Sequence, residues 1–132
     1  MSACASTQVP LVSPADLQTQ PMGQITADQR QAAVQLAFVT PRDARIWTID
    51  EQGNGYFIAT ILVRDHRAQV QIEYASPTIT VTYLNSVNLK YGQNSDGIVV
   101  IHRNFNKWMQ NFLADIQREL SLMLAASAQQ AP

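Results

Sequence analysis

The side chains with the means to do chemistry here are two histidines, one cysteine and a run of asparagines and tyrosines, and their spacing limits what that chemistry is. His66 stands between Asp65 and Arg67, and an imidazole beside a carboxylate is the raw material of a general base. Neighbours on a strand or tight turn point in different directions, so adjacency in sequence does not make a dyad, and the expectation for His66 is a solvated turn residue. The densest group is Asn88-Leu89-Lys90-Tyr91 with Ile101-His102-Arg103-Asn104-Phe105-Asn106-Lys107-Trp108. Within it His102 is the one candidate base, with Tyr91 and the amides of Asn88, Asn104 and Asn106 as helpers. A structural account covers most of the same residues. Asn104 would cap a helix by accepting from Lys107, Phe105 and Trp108 would anchor its first turn, and His102 and Tyr91 would bond the loop above.

Other chemistries lack their parts. The only cysteine is Cys4, far from either histidine, and no Gly-x-Ser-x-Gly elbow is present. Two distant histidines without a second cysteine leave too few ligands for zinc, and Asn94-Ser95-Asp96-Gly97 lacks the repeated carboxylates of a calcium loop. Gly53-Asn54-Gly55 is a hairpin turn, not a phosphate cradle. No catalytic residue, metal site or cofactor is expected.

The elements that must position these residues follow from periodicity. Ser2 to Gln24 is mostly Ser, Thr, Gln, Ala and Pro, so residues 1–25 are expected to be a disordered tether, reaching roughly 25 to 30 Å on average. Thr26-Ala27-Asp28-Gln29 fits a capping box, opening a helix to about Val39 that presents Ala33, Leu36, Ala37 and Phe38 until Pro41 ends it. A short turn over Asp43 to Arg45 follows. The period then becomes two. Strands are expected at Ile46–Asp50, Tyr56–Val63, Ala68–Tyr74 and Thr78–Leu84, the second apolar on both faces and therefore central. Asn85 to Gly97 reads as loop, and Ile98–Ile101 as an edge strand or an extended lead into the last helix. In that helix Phe105, Trp108, Met109, Phe112, Leu113, Ile116, Leu120 and Met123 recur at three- and four-residue steps. The expected fold is α+β: an antiparallel meander of four strands, or five, with an N-terminal and a long C-terminal helix on one face. Residues 26–125 form one domain and 126–132 a frayed tail.

Nine basic against ten acidic side chains give a net charge of −1, which argues against a nucleic-acid partner. The apolar run from Tyr56 to Val63 is far shorter than the roughly 20 residues a membrane-spanning helix needs. Cys4 lies on a polar tail, where packing gives it no use, and reads as an attachment point.

Ser2-Ala3-Cys4 resembles the end of a bacterial lipoprotein signal peptide, in which the cysteine becomes the acylated first residue. Met1 stands where leucine is usual, consistent with an added start after removal of a signal segment. Asn88, Leu89, Tyr91, Ile101, His102, Asn104, Asn106 and Trp108, with Arg64 and His66, are also similar to a group of small proteobacterial envelope lipoproteins marked by Asn-Leu-x-Tyr and Ile-His-x-Asn-Tyr-Asn-x-Trp. Phe105 takes the place of the usual tyrosine. The resemblance implies an α+β fold and an envelope location, and brings no mechanism with it. Ala5, rather than aspartate, after the cysteine implies the outer membrane by the same analogy.

The expected function is thus a binding or scaffold lipoprotein, anchored by lipid on Cys4 to the periplasmic face of the outer membrane, with an envelope protein or cell-wall partner. Its contact surface would be the polar strand face of Gln69, Gln71, Glu73, Thr78, Thr80 and Thr82, the loop cluster, or an open sheet edge. The alternative is an envelope hydrolase using His102 with Tyr91 and the nearby asparagines.

Overall fold

Alternating apolar and polar residues after position 45 pleat into a meander, and the helices close over its apolar side. The computed structural model describes residues 8–13, 16–21, 24–39 and 46–130. Cys4 and the turn expected at Asp43 to Arg45 lie outside these residues. The elements are β1 (Gln8–Pro10), α1 (Ala27–Val39), β2 (Ile46–Gly53), β3 (Tyr56–Val63), β4 (His66–Glu73), β5 (Thr80–Val87), β6 (Gly92–Gln93), β7 (Val99–His102) and α2 (Arg103–Gln130). β2 to β5 form an antiparallel sheet in sequential order, with β3 and β4 as the inner strands; the second apolar face of β3, with Ile58 and Leu62, is only partly covered.

Phe57, Ala59 and Ile61 of β3 and Ala68, Val70 and Ile72 of β4 point to one face, where they are fully buried. Both helices cover that face. Phe38 of α1 stacks on Phe112 of α2 at 5.3 Å and meets Phe57 edge-on at 5.6 Å, tying the two layers through one aromatic cluster. The capping box forms as read: the Gln29 amide donates to Thr26 Oγ1 (3.2 Å) and the Thr26 amide to Gln29 Oε1 (2.8 Å).

The opposite face of the sheet is open, polar across its middle and apolar toward the β3–β4 turn, where Ile46, Leu62 and Val87 are exposed beside Arg67. Gln69 Nε2 donates to Asp50 Oδ2 (3.0 Å), Thr60 donates to the same oxygen, and Asn85 Nδ2 donates to Gln69 Oε1 (2.8 Å), a hydrogen-bonded row across all four strands. These bonds hold the Asp50 carboxyl below the usual carboxylate range, Thr60 contributing most and Gln69 next.

Several expectations need correction. The segment read as a tether is, from Gln8 onward, a strap laid on the body. β1 pairs with β7, Val12 donates its amide to Asn106 Oδ1 (3.4 Å), and Gln20 donates its amide to Gln117 Oε1 (2.8 Å), so the strap runs parallel to α2. Leu17, only 1% exposed, plugs the core beside β5, where Val81 donates its amide to the Leu17 carbonyl and Thr19 its amide to the Ile79 carbonyl. A low-complexity composition had hidden one large apolar residue and a β-bridge.

The region read as loop over Asn85 to Gly97 carries the end of β5 and all of β6. β7 does not extend the meander; it forms a second small sheet, β1-β7-β6. On α1 the buried stripe is Arg30, Ala33, Val34, Ala37 and Phe38, whereas Leu36 is exposed. Arg30, 5% exposed, donates to the carbonyls of Ile25 (2.7 Å), Tyr74 (2.7 Å) and Ala75 (3.0 Å), a fork that fastens the start of α1 to the end of β4. α2 continues to Gln130 instead of fraying from position 126.

Candidate functional site

The residues singled out in sequence converge at one end of the sheet, where the β3–β4 turn, the loop after β5, the β7–α2 junction and β1 meet. Leu89 is the plug of this end, 1% exposed, and the residues on either side of it, Asn88 (φ 65°) and Lys90 (φ 55°), adopt the left-handed conformation so that it can turn inward. Asn88 then clamps two loops. Its Nδ2 donates to the Asp65 carbonyl (3.0 Å), and its own carbonyl accepts from His66 Nδ1 (2.7 Å).

His102 ends β7 and begins α2. Its backbone amide donates to the Leu89 carbonyl (2.7 Å), and its Nδ1 accepts the backbone amide of Asn104 at 3.1 Å. An amide nitrogen can only donate, so His102 Nδ1 must carry a lone pair, and the neutral ring has its proton on Nε2. The ring therefore serves as the N-cap of α2, satisfying one of the amides a helix start leaves open. The expected cap, Asn104 accepting from Lys107, does not form because the helix starts at Arg103, two residues before the Phe105 start that cap requires.

His66 has the complementary tautomer. A carbonyl can only accept, so His66 Nδ1 carries the proton and Nε2 the lone pair, 3.7 Å from Asp65 Oδ1. The two imidazole centroids are 5.9 Å apart, and the His66 ring lies 6.0 Å from the buried Trp108 indole. Burial, foremost, then the like charge His66 carries when protonated and the positive charges of Lys90 and Arg103, hold the His102 imidazole below its ordinary value. His66, read as a lone turn residue, is therefore a member of the cluster. Turn geometry alone points away from that membership.

The other members are also spent on structure. Asn106 Nδ2 donates to the Pro10 carbonyl (2.9 Å) and Asn106 Oδ1 accepts from the Val12 amide, so this side chain holds the strap on both sides of Leu11. Gln8 Nε2 donates to the Lys90 carbonyl (2.7 Å). Tyr91, 49% exposed, stacks on Tyr83 at 4.6 Å, and Tyr83 meets the buried Phe105 edge-on at 5.5 Å. Burial raises the Tyr83 phenol above its usual range, against the opposing effect of its bond to Ser86.

A hydrolase built on His102 would need a lone pair on an exposed nitrogen beside a concavity. The geometry gives His102 an Nε2 proton instead, and switching the tautomer would forfeit the helix cap. A recess of about 250 Å³, lined by Gln18, Glu73, Ala75, Ser76, Thr78 and Thr80, opens at the opposite end of β4. Among the described residues, no three His, Cys, Asp or Glu side chains are grouped to hold a metal ion, and no helix is long and apolar enough to cross a membrane. No protein-family model matches this chain, and no curated protein and no solved structure matches it.

Proposed function

We propose that this chain is a lipid-anchored lipoprotein of the bacterial cell envelope, held at the periplasmic face of the outer membrane through Cys4 and acting as a binding or scaffold module without catalysis. What supports the reading is the use made of the residues similar to the envelope lipoproteins. Asn88, His102 and Asn106 each make a hydrogen bond that fastens the loops, α2 or the strap at one end.

The anchor part rests on the sequence context of Cys4. A cysteine acylated with three chains, as in lipoproteins, holds a bilayer stably, where one chain binds marginally. The module part rests on the open face of β2 to β5, whose polar row from Thr60 through Asp50 and Gln69 to Asn85 offers donors and acceptors already set in place. An envelope protein or a cell-wall fragment fits such a face.

The deciding experiment is intact mass analysis of the protein made from its full precursor in its native host. A mass increase corresponding to a diacylglyceryl thioether and an amide-linked acyl chain on Cys4 is the expected result. An unmodified thiol would overturn the anchor, and failure of crosslinkers placed at Gln71 and Thr82 to retain any envelope component would overturn the module.

A further inference from the structure

The net charge of −1 conceals a separation of charge along the sheet. Five exposed basic side chains gather at the end just described: Arg64 in the β3–β4 turn, Arg67 on β4, Lys90 after β5, and Arg103 and Lys107 one turn apart on α2. Asp65 is set among them, and Asp50 lies within electrostatic reach of Arg67. At the other end of the same strands stand Glu51, Glu73 and, at the start of α1, Asp28. Of the remaining basic residues, Arg30 is buried on carbonyls, Arg118 lies about four turns along α2 from Arg103, and Arg42 and Arg45 are outside the described residues.

Tyr91 adds an aromatic ring, half exposed, beside Lys90. Rings of this kind favour the headgroup level of a bilayer, and each Lys or Arg near an anionic surface adds attraction that fades within a Debye length of about 8 to 10 Å. The strap keeps the patch close to the anchor. Gln8 is pinned by pairing with His102 and by its amide on the Lys90 carbonyl, and four residues of chain reach at most about 14 Å. A leash free through residue 25 would hold the body at roughly twice that distance.

We propose that the basic end formed by Arg64, Arg67, Lys90, Arg103 and Lys107, with Tyr91, is the face this protein lays against an anionic lipid bilayer. The orientation of the body rests on the Cys4 anchor proposed above; the affinity of the face for the bilayer does not. Docked in this way, the recess and the Asn54-Gly55 hairpin project away from the membrane.

The test uses the unacylated full chain under reducing conditions, sedimented with vesicles of phosphatidylcholine and phosphatidylglycerol at 7:3, or of phosphatidylcholine alone. Binding to the anionic vesicles at low salt, its loss at high salt, and none to the neutral vesicles are the expected results. Lys90→Gln, Arg103→Gln and Lys107→Gln should each weaken the partition about fivefold, whereas Arg118→Gln should leave it unchanged. Equal partition to both vesicles, or an Arg118→Gln loss as large as that of Lys90→Gln, would overturn the proposal, as would binding to a single-stranded oligonucleotide without vesicle binding. Since no acyl chain is present, failure here speaks against the face and leaves the anchor to the mass analysis of Cys4.

Discussion

His66 and His102 face each other with ring centroids 5.9 Å apart and in opposite tautomers, one donating from Nδ1 to the Asn88 carbonyl and the other accepting at Nδ1 from the Asn104 amide. His66 is thereby committed to a backbone carbonyl in the loop carrying Leu89 and His102 to a backbone amide in the first turn of α2, and between them they lock the β3–β4 turn, that loop and the start of α2. The pair answers differently to acid. Protonation leaves the His66 bond intact, whereas it removes the lone pair that caps α2 and puts a positive charge at the positive end of the helix dipole.

Acid should therefore weaken the fold through His102. Its folded value lies below the ordinary imidazole value of about 6.5, so over the interval between the two the unfolded chain binds more protons and stability falls as pH falls. The charged and titratable groups around it are His66, Asp65, Lys90 and Arg103. Urea unfolding at pH 7 and pH 5 should show the wild type losing about 1 kcal/mol more than His102→Asn, which keeps a cap that does not titrate. Equal losses would show that the cap is not the acid-sensitive part.

Leu17→Ala distinguishes a strap from a tether. Removing a fully buried leucine should cost about 2 to 5 kcal/mol in urea or thermal unfolding. A substitution in a free leash would cost nothing measurable.

Asn106 holds the strap by a donor and an acceptor, so Asn106→Ala should release the segment from Gln8 to Val12 without unfolding the body. Hydrogen exchange is the direct readout: the amides of Leu11 and Val12 should lose protection while those of β3 and β4 keep theirs. Asn106→Asp retains the acceptor and gives up the donor, and should fall between the two. Unchanged protection at Leu11 in Asn106→Ala would mean that β1 pairing alone holds the strap.

Arg30 is the buried charge on which the start of α1 depends. Arg30→Met leaves the carbonyls of Ile25, Tyr74 and Ala75 without their donors and should cost about 3 kcal/mol or more. Arg30→Lys should recover only part of this, because an ammonium cannot match three acceptors with a fixed planar fork. Differential scanning calorimetry of the three proteins orders them; a lysine variant as stable as the wild type would remove the geometric argument.

Trp47 packs against Phe38 and Phe112 at 5.2 and 4.5 Å, and its buried indole nitrogen has no hydrogen-bond partner among the described residues. Trp47→Phe gives up contact area but also removes a donor whose desolvation costs about 1 to 3 kcal/mol. The expected net change in stability is within about 1 kcal/mol, well short of the usual cost of shrinking a core aromatic. A loss near 3 kcal/mol, measured by urea unfolding, would point to an acceptor for that nitrogen.

The parts legible in sequence are those whose cause is local. The capping box at Thr26 and Gln29 involves residues three apart, the period-two strands alternate within eight residues, and the α2 stripe from Phe105 to Leu120 repeats every turn, so each is written in neighbouring positions. Leu36 was misplaced because a short helix with many alanines has a weak stripe, and Arg30, a charged residue, was not read as part of it. The membership of the cluster was legible as a pattern of residue types, but the role of each member was not: whether His102 or Asn104 caps α2 depends on a shift of two residues in the helix start.

What the chain alone determined is an α+β body with a four-stranded meander under two helices, since hydrophobic period and turn residues act over a few positions at a time. Only the tertiary structure decided that the polar, proline-marked N-terminus is a strap, that β7 leaves the meander to join β1, and that His66 meets His102. These pairings join residues such as Val12 and Asn106, or Leu17 and Val81, that lie far apart along the chain. Their free energy comes from burial and hydrogen bonds that exist once the sheet and α2 are in place, and no short-range pattern encodes them.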